Sequence, residues 1–91
     1  MSSVLHKKGD IMNKEYKKLF GANIREIRKR QNLTQEELVT KMQLIGIDMT
    51  RSALAKIESA QRHAYPDEIK ALKTALDVSY DELFDFKTNK K

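Results

Sequence analysis

Cysteine is absent from this chain, which excludes a disulfide framework, a thiol nucleophile and a Cys-type zinc site. Glycine occurs only three times and in no cluster, so there is no glycine-rich loop of the kind that cradles phosphates. The only two histidines, His6 and His63, lie far apart with no metal-ligand spacing around either. No metal and no cofactor is therefore expected. No nucleophile elbow or Cys/His arrangement is present, and the reading is not an enzyme. No apolar run approaches the roughly 20 residues of a membrane span, and residues 1–12 lack the sustained apolar segment of a secretory signal. These absences lead to an expectation of a cytoplasmic protein that makes no membrane contact. Ninety-one residues suit one domain with a modest core and no large catalytic cleft.

What is present is charge, unevenly spread. The formal net charge is +5. Residues 16–32 carry six Lys/Arg against Glu26 alone, a local +5, whereas residues 66–86 carry Lys70 and Lys73 against six acidic residues, a local −4. One end of the domain is basic and the other acidic. A basic patch is the footprint of a polyanion partner, although a solubilising face would give the same total.

The periodicity predicts helices throughout and no strand. Residues 1–15 are polar without a lasting period and read as a flexible arm, 16–86 as the folded domain and 87–91 as a basic, frayed tail. The first helix is expected over about 14–31: Phe20, Ile24, Ile27 and Gln31 recur on one face, and Asn32 is a plausible stop. The second opens with Thr34 as N-cap and Glu37 three residues on, a capping box, with Leu33 and Leu38 forming a hydrophobic staple. It is expected to reach about Leu44, with Gly46 at the turn. The third spans about 51–60 behind the cap residue Thr50. Ala53, Leu54 and Ile57 face inward, which leaves Arg51, Ser52, Ala55, Lys56 and Ser59 outward. Residues 61–65 read as a loop. Pro66 opens the fourth helix, Asp67 and Glu68 favour its positive end, and Ile69, Leu72 and Leu76 are its buried face. The fifth repeats the staple and capping box over 78–83 and ends near Phe86. Phe84 is expected in the core, with Tyr80 and Phe86 as an exposed apolar patch suited to self-association. Asp81, Glu82 and Asp85 sit where capping and dipole effects explain them, so they are not read as an acid–base pair.

Three segments in order, IREIRKRQNLTQEEL (24–38), TRSALAKIE (50–58) and IKALKTALDVSYDELF (69–84), resemble the helix-turn-helix domain of phage Cro and CI-type repressors and the xenobiotic-response-element regulators. The resemblance covers about 19–86. It implies an all-α, compact five-helix, lambda-repressor-like DNA-binding domain. Its partner would be double-stranded DNA, with the third helix in the major groove, and the protein would be a small transcriptional repressor. By the same resemblance Arg51, Ser52 and Lys56 match base-contact positions. Gln35, Thr50, Ser59, Arg62 and His63 match positions that contact the DNA backbone. Arg28 and Glu58 match a partly buried ion pair tying the first helix to the third. Related domains often dimerise through the fifth helix, which implies a homodimer on a near-palindromic site. The chain departs from the usual pattern in one place. It is about five residues longer between the start of the second helix and Ile57, and the extra residues fall within 42–48 as QLIGI. A longer second helix or a wider turn is expected, which bears on how the third helix docks.

Without the resemblance, Arg51 and Lys56 read as solvated charges and the cluster at 25–30 as a solvated face. An alternative function on the same fold is an antitoxin, or another module whose partner is a toxin or a different protein. A membrane-surface or calmodulin-type reading of residues 17–30 fails because that helix has a face the core needs.

Overall fold

The computed structural model describes residues 2–86, with side chains over 15–86. Among the described residues there are five helices and no strand: α1 (Ser2–Arg30), α2 (Gln35–Ile45), α3 (Arg51–Glu58), α4 (Pro66–Leu76) and α5 (Tyr80–Leu83). They enclose one core. Ile24, Ile27, Leu38, Met42, Met49, Leu54, Ile57, Leu72, Leu76 and Leu83 are fully buried in it, each contributing about 1.5–3 kcal/mol by burial.

Helix α1 begins well before the expected start near 14. The segment read as an arm, 1–15, is helical in its backbone from Ser2. It contains no proline, and a single interior glycine, Gly9, costs only about 1 kcal/mol, so nothing in it compels a stop. The side chains of 1–14 lie outside the described residues, as does the tail expected at 87–91. At the other end Asn32 takes φ 59°, and the Leu33 amide donates to the Arg28 carbonyl at 3.1 Å. This left-handed exit terminates the helix. Gln31, expected on the buried face, lies beyond α1 and is exposed. Its Nε2 donates to the Leu76 carbonyl at 2.7 Å, satisfying the C-terminal end of α4.

The capping box of α2 is complete. The Glu37 amide donates to Thr34 Oγ1 at 3.0 Å and the Thr34 amide to Glu37 Oε1 at 2.8 Å. Leu38 is fully buried, and Leu33 packs against the same core. Over 42–48, where extra residues are expected, α2 runs on to Ile45 and a turn starts at Gly46 with φ 103°. Helix α3 ends at Glu58, short of the expected Ala60. Ala60 adopts φ 64°, and the Gln61 amide returns to the Lys56 carbonyl at 2.7 Å.

Helix α5 stops at Leu83 rather than near Phe86, and its capping box is half formed. Ser79 Oγ accepts from the Glu82 amide at 3.0 Å, but the Glu82 carboxylate turns to Arg30, 3.8 Å away. Asn23 Nδ2 donates to the Leu83 carbonyl at 2.7 Å and closes the helix end. The inward position therefore belongs to Leu83, and Phe84, expected in the core, is 45% exposed. Its ring lies over Phe20 with centroids 5.2 Å apart. Phe86, expected in the exposed patch, is half-buried and meets Tyr16 edge-on at 5.6 Å.

Candidate nucleic-acid interface

Helix α3 carries the candidate interface, and its sequence divides its faces. Leu54, Ile57 and Glu58 are buried, Ala53 and Ala55 are half-buried, and Arg51, Ser52, Lys56 and the capping residue Ser59 are exposed. The exposed four recur at helical spacing and so lie along one side. Thr50 precedes the helix in extended conformation, and its Oγ1 accepts from the Ala53 amide at 3.0 Å. The hydroxyl proton of Thr50 is left available to an outside acceptor. Arg51 stands beside an open groove between α2 and α3, lined also by Thr34, Glu36, Thr40, Gln43 and Thr50. Among the described residues three ion pairs form, and neither Arg51 nor Lys56 belongs to one.

A buried polar network fixes where α3 sits. Glu58 accepts from Arg28 Nε at 2.8 Å and from Arg28 Nη2 at 2.9 Å, a bidentate pair with both side chains almost fully enclosed. The hydrogen bond to Glu58 raises the Arg28 pKa against the opposing pull of burial. Arg28 Nη1 also donates to the Leu33 carbonyl at 2.8 Å, and Gln35 Nε2 reaches Glu58 Oε1 at 3.1 Å. One carboxylate thereby joins the end of α1, the linker, the first turn of α2 and α3. Charge-assisted bidentate geometry makes the pair directional, so it acts on orientation. The side-chain amide of Gln35, a residue the resemblance matches to a DNA-backbone position, is bonded into this network.

Two further features hold α3. Gly21 permits α1 to touch it: a Cβ there would overlap the Ile57 carbonyl oxygen and lie 3.0 Å from that of Glu58. Gln43 Nε2 donates to the Met49 carbonyl at 2.9 Å, across the turn that leads into the helix.

After α3 the loop over 59–65 is also internally bonded. Ser59 Oγ donates to the Ala55 carbonyl at 2.9 Å. His63 is exposed. Arg62, assigned from the sequence to the DNA backbone, forms a bidentate pair with Glu68 at 2.9 and 2.7 Å and packs over the Tyr65 ring at 4.8 Å. The hydrogen bond to Glu68 raises the Arg62 pKa, and the bond from Arg62 lowers that of Glu68 despite its burial. Glu68 was read as a dipole residue of α4. Its carboxylate reaches back to the Tyr65 amide at 2.9 Å and is buried opposite Arg62.

Sequence reasoning missed this pair, Gly21 and the amide side chains of Asn23, Gln31 and Gln43. A signal existed for Gly21 alone, since an isolated glycine inside a helical pattern usually has a packing reason. Among the described residues, no three His, Asp or Glu groups come together as a metal site, and no helix is long and apolar enough to cross a membrane.

No curated protein and no solved structure matches the chain. A family model described as helix-turn-helix matches residues 24–83, a span that runs from the middle of α1 through α5 and contains the α2–turn–α3 unit entire. The chain belongs to the helix-turn-helix family of Cro/CI type, a family of DNA-binding regulators, and has its all-helical lambda-repressor-like fold.

Proposed function

We propose that the protein is a sequence-specific transcriptional repressor that binds a near-palindromic DNA site as a homodimer in the cytoplasm. The observation that carries this reading is the exposed side of α3, where Arg51, Ser52 and Lys56 stand clear of ion pairs on a helix whose seat is fixed by a buried charge network. Arg51 is suited to a bidentate bond with guanine O6 and N7, and Ser52 and Lys56 to neighbouring base edges. Thr50, Ser59 and His63 would meet phosphates beside them, with the first turn of α2 at Gln35 offering backbone amides. The paired subunits would meet across the α5 face, where Tyr80 and Phe84 are exposed.

The test is selection from random-sequence duplexes followed by a salt titration of the enriched site. An enriched inverted repeat with a steep salt dependence is the expected result, because neutralised phosphates release counterions. Salt-sensitive binding without an enriched motif would remove the specificity. Absence of binding at low salt would remove the DNA reading. It would favour the alternative, an antitoxin or other protein-binding module, for which the exposed Leu44 and Ile45 at the end of α2 are the supporting feature.

A further inference from the structure

Arg62 sits in the loop that follows the recognition helix and carries a positive charge, so a phosphate contact is its obvious assignment. Its surroundings point elsewhere. Arg62 Nη1 donates to Glu68 Oε1 and to the His63 carbonyl, and Nη2 donates to Glu68 Oε2. Glu68 is 6% exposed and also accepts from the Tyr65 amide at 2.9 Å. The guanidinium is thus committed to a carboxylate whose one ion-pair partner among the described residues it is, and the two charges cancel at close range. A phosphate drawn to Arg62 would have to displace Glu68, leaving a buried carboxylate unpaired. The same bonds close the loop on itself from residue 62 to residue 68. Among the described residues, the amides of Arg62, His63 and Ala64 donate no hydrogen bond.

We infer that Arg62 is a positioning residue: through its bidentate pair with Glu68 it holds the loop over 59–65 in the shape that meets the DNA backbone, and it does not itself bind phosphate. This rests on the DNA reading above. The role requires both members of the pair, which sets it apart from a contact role by the sign of one substitution. Glu68→Gln removes a negative charge and frees Arg62. If Arg62 were a phosphate contact, the variant would bind DNA more tightly. If the pair positions the loop, the variant must first order that loop and binds more weakly.

The experiment measures affinity of the full chain for its selected duplex over a range of salt. The variants are Arg62→Ala, Arg62→Lys, Glu68→Gln and the exchanged double variant Arg62→Glu/Glu68→Arg, each checked for folding by far-ultraviolet circular dichroism. Glu68→Gln and Arg62→Ala are both expected to weaken binding by about tenfold, the scale set by re-ordering one or two backbone residues. Arg62→Lys, which keeps the charge but not the two-pronged geometry, is expected to weaken binding at an unchanged salt slope. The exchanged variant is expected to recover part of the loss, the remainder being the Tyr65 amide bond that an arginine at 68 cannot accept. Tighter binding by Glu68→Gln would overturn the inference. So would full binding by Arg62→Lys, or a slope reduced by about 0.9 in Arg62→Ala, the value for one lost phosphate contact. Should Glu68→Gln fail to fold, Arg62→Lys and the exchanged variant decide the matter. A wild-type chain that binds no duplex overturns the DNA reading and this inference with it, an outcome distinct from wild-type binding that the variants leave unchanged.

Discussion

Gly21→Ala should destabilise the protein, although helix propensity alone predicts the reverse. In an exposed helix interior the change would stabilise by about 0.8–1.0 kcal/mol. Here the new methyl group would overlap the Ile57 carbonyl oxygen and press on that of Glu58. Both are backbone atoms at the end of α3, so no side-chain rotation relieves the contact. Helix α1 must move away, loosening Phe20 and Ile24 from Leu54 and Ile57 in the core that they share. Overpacking of this kind costs about 1–3 kcal/mol, and more where backbone must shift. Set against the propensity gain, the net loss is about 1 kcal/mol, or roughly 4–8 °C in Tm for a domain of this size. Thermal unfolding followed at 222 nm measures it. Gly46→Ala provides the contrast: nothing lies within 4 Å of a Cβ there, and only the φ of 103° opposes it, a loss of about 1–2 kcal/mol from backbone strain alone. A Gly21→Ala variant as stable as wild type, or more so, would refute the close approach of α1 to α3.

Glu58→Ala should cost about 3–5 kcal/mol in urea unfolding, because it leaves Arg28 charged, enclosed and unpaired. An apolar Arg28→Leu/Glu58→Leu pair should recover much of that stability while losing binding specificity, and a single variant within 1 kcal/mol of wild type would show that the pair is idle. Arg51→Ala should cost about 1–3 kcal/mol on the selected site and relax preference at one base pair; equal weakening on every sequence would make it a phosphate contact. Acid should weaken the fold through Glu68. Its carboxylate is held below the ordinary range by the bond from Arg62. The stabilisation is therefore fully present above the unfolded pKa of about 4.3 and disappears as pH falls through the lower folded value. Urea midpoints should drop below about pH 4, and Glu68→Gln should flatten that decline; an identical decline in the variant would remove Glu68 as its cause.

The legible part of this molecule was what local rules determine. Thr34 and Glu37 lie three apart and bond each other, so α2 could be placed from four letters. Pro66 marked the start of α4, and the spacing of Leu54 and Ile57 settled which side of α3 is outward. The less legible part depends on partners distant in sequence. Nothing near Gly21 announces the carbonyls of Ile57 and Glu58, and nothing near Asn23 announces the end of α5. The register of α5 was misread for the same reason. The pattern at 78–83 is a sound helix start, but Asn23 closes the helix after one turn, so Leu83 enters the core and Phe84 rests on its surface. For the site, exposure of Arg51, Ser52 and Lys56 followed from helical spacing. The commitments of Gln35 and Arg62 did not, because a polar side chain next to a backbone-contact position looks the same in sequence whether it faces outward or binds a buried carboxylate.

The connection between α2 and α3 shows how such distant commitments position α3. Added residues before a recognition helix would ordinarily loosen its entry angle, since each newly mobile residue adds about 1–2 kcal/mol of ordering entropy. Here the connection is fixed at defined points. Helix α2 continues to Ile45, Gly46 turns the chain in the left-handed region, Met49 is fully buried, and Gln43 binds the Met49 carbonyl from the end of α2. Thr50 then caps α3 from a fixed position. The entry to α3 is therefore held by burial and a side-chain bond, and its exit by Glu58 bonded to Arg28. The two ends are secured by different elements, α2 before the helix and α1 after it. A change in the length of the turn alone leaves the α1 anchor in place, so the outward face of Arg51, Ser52 and Lys56 keeps its support.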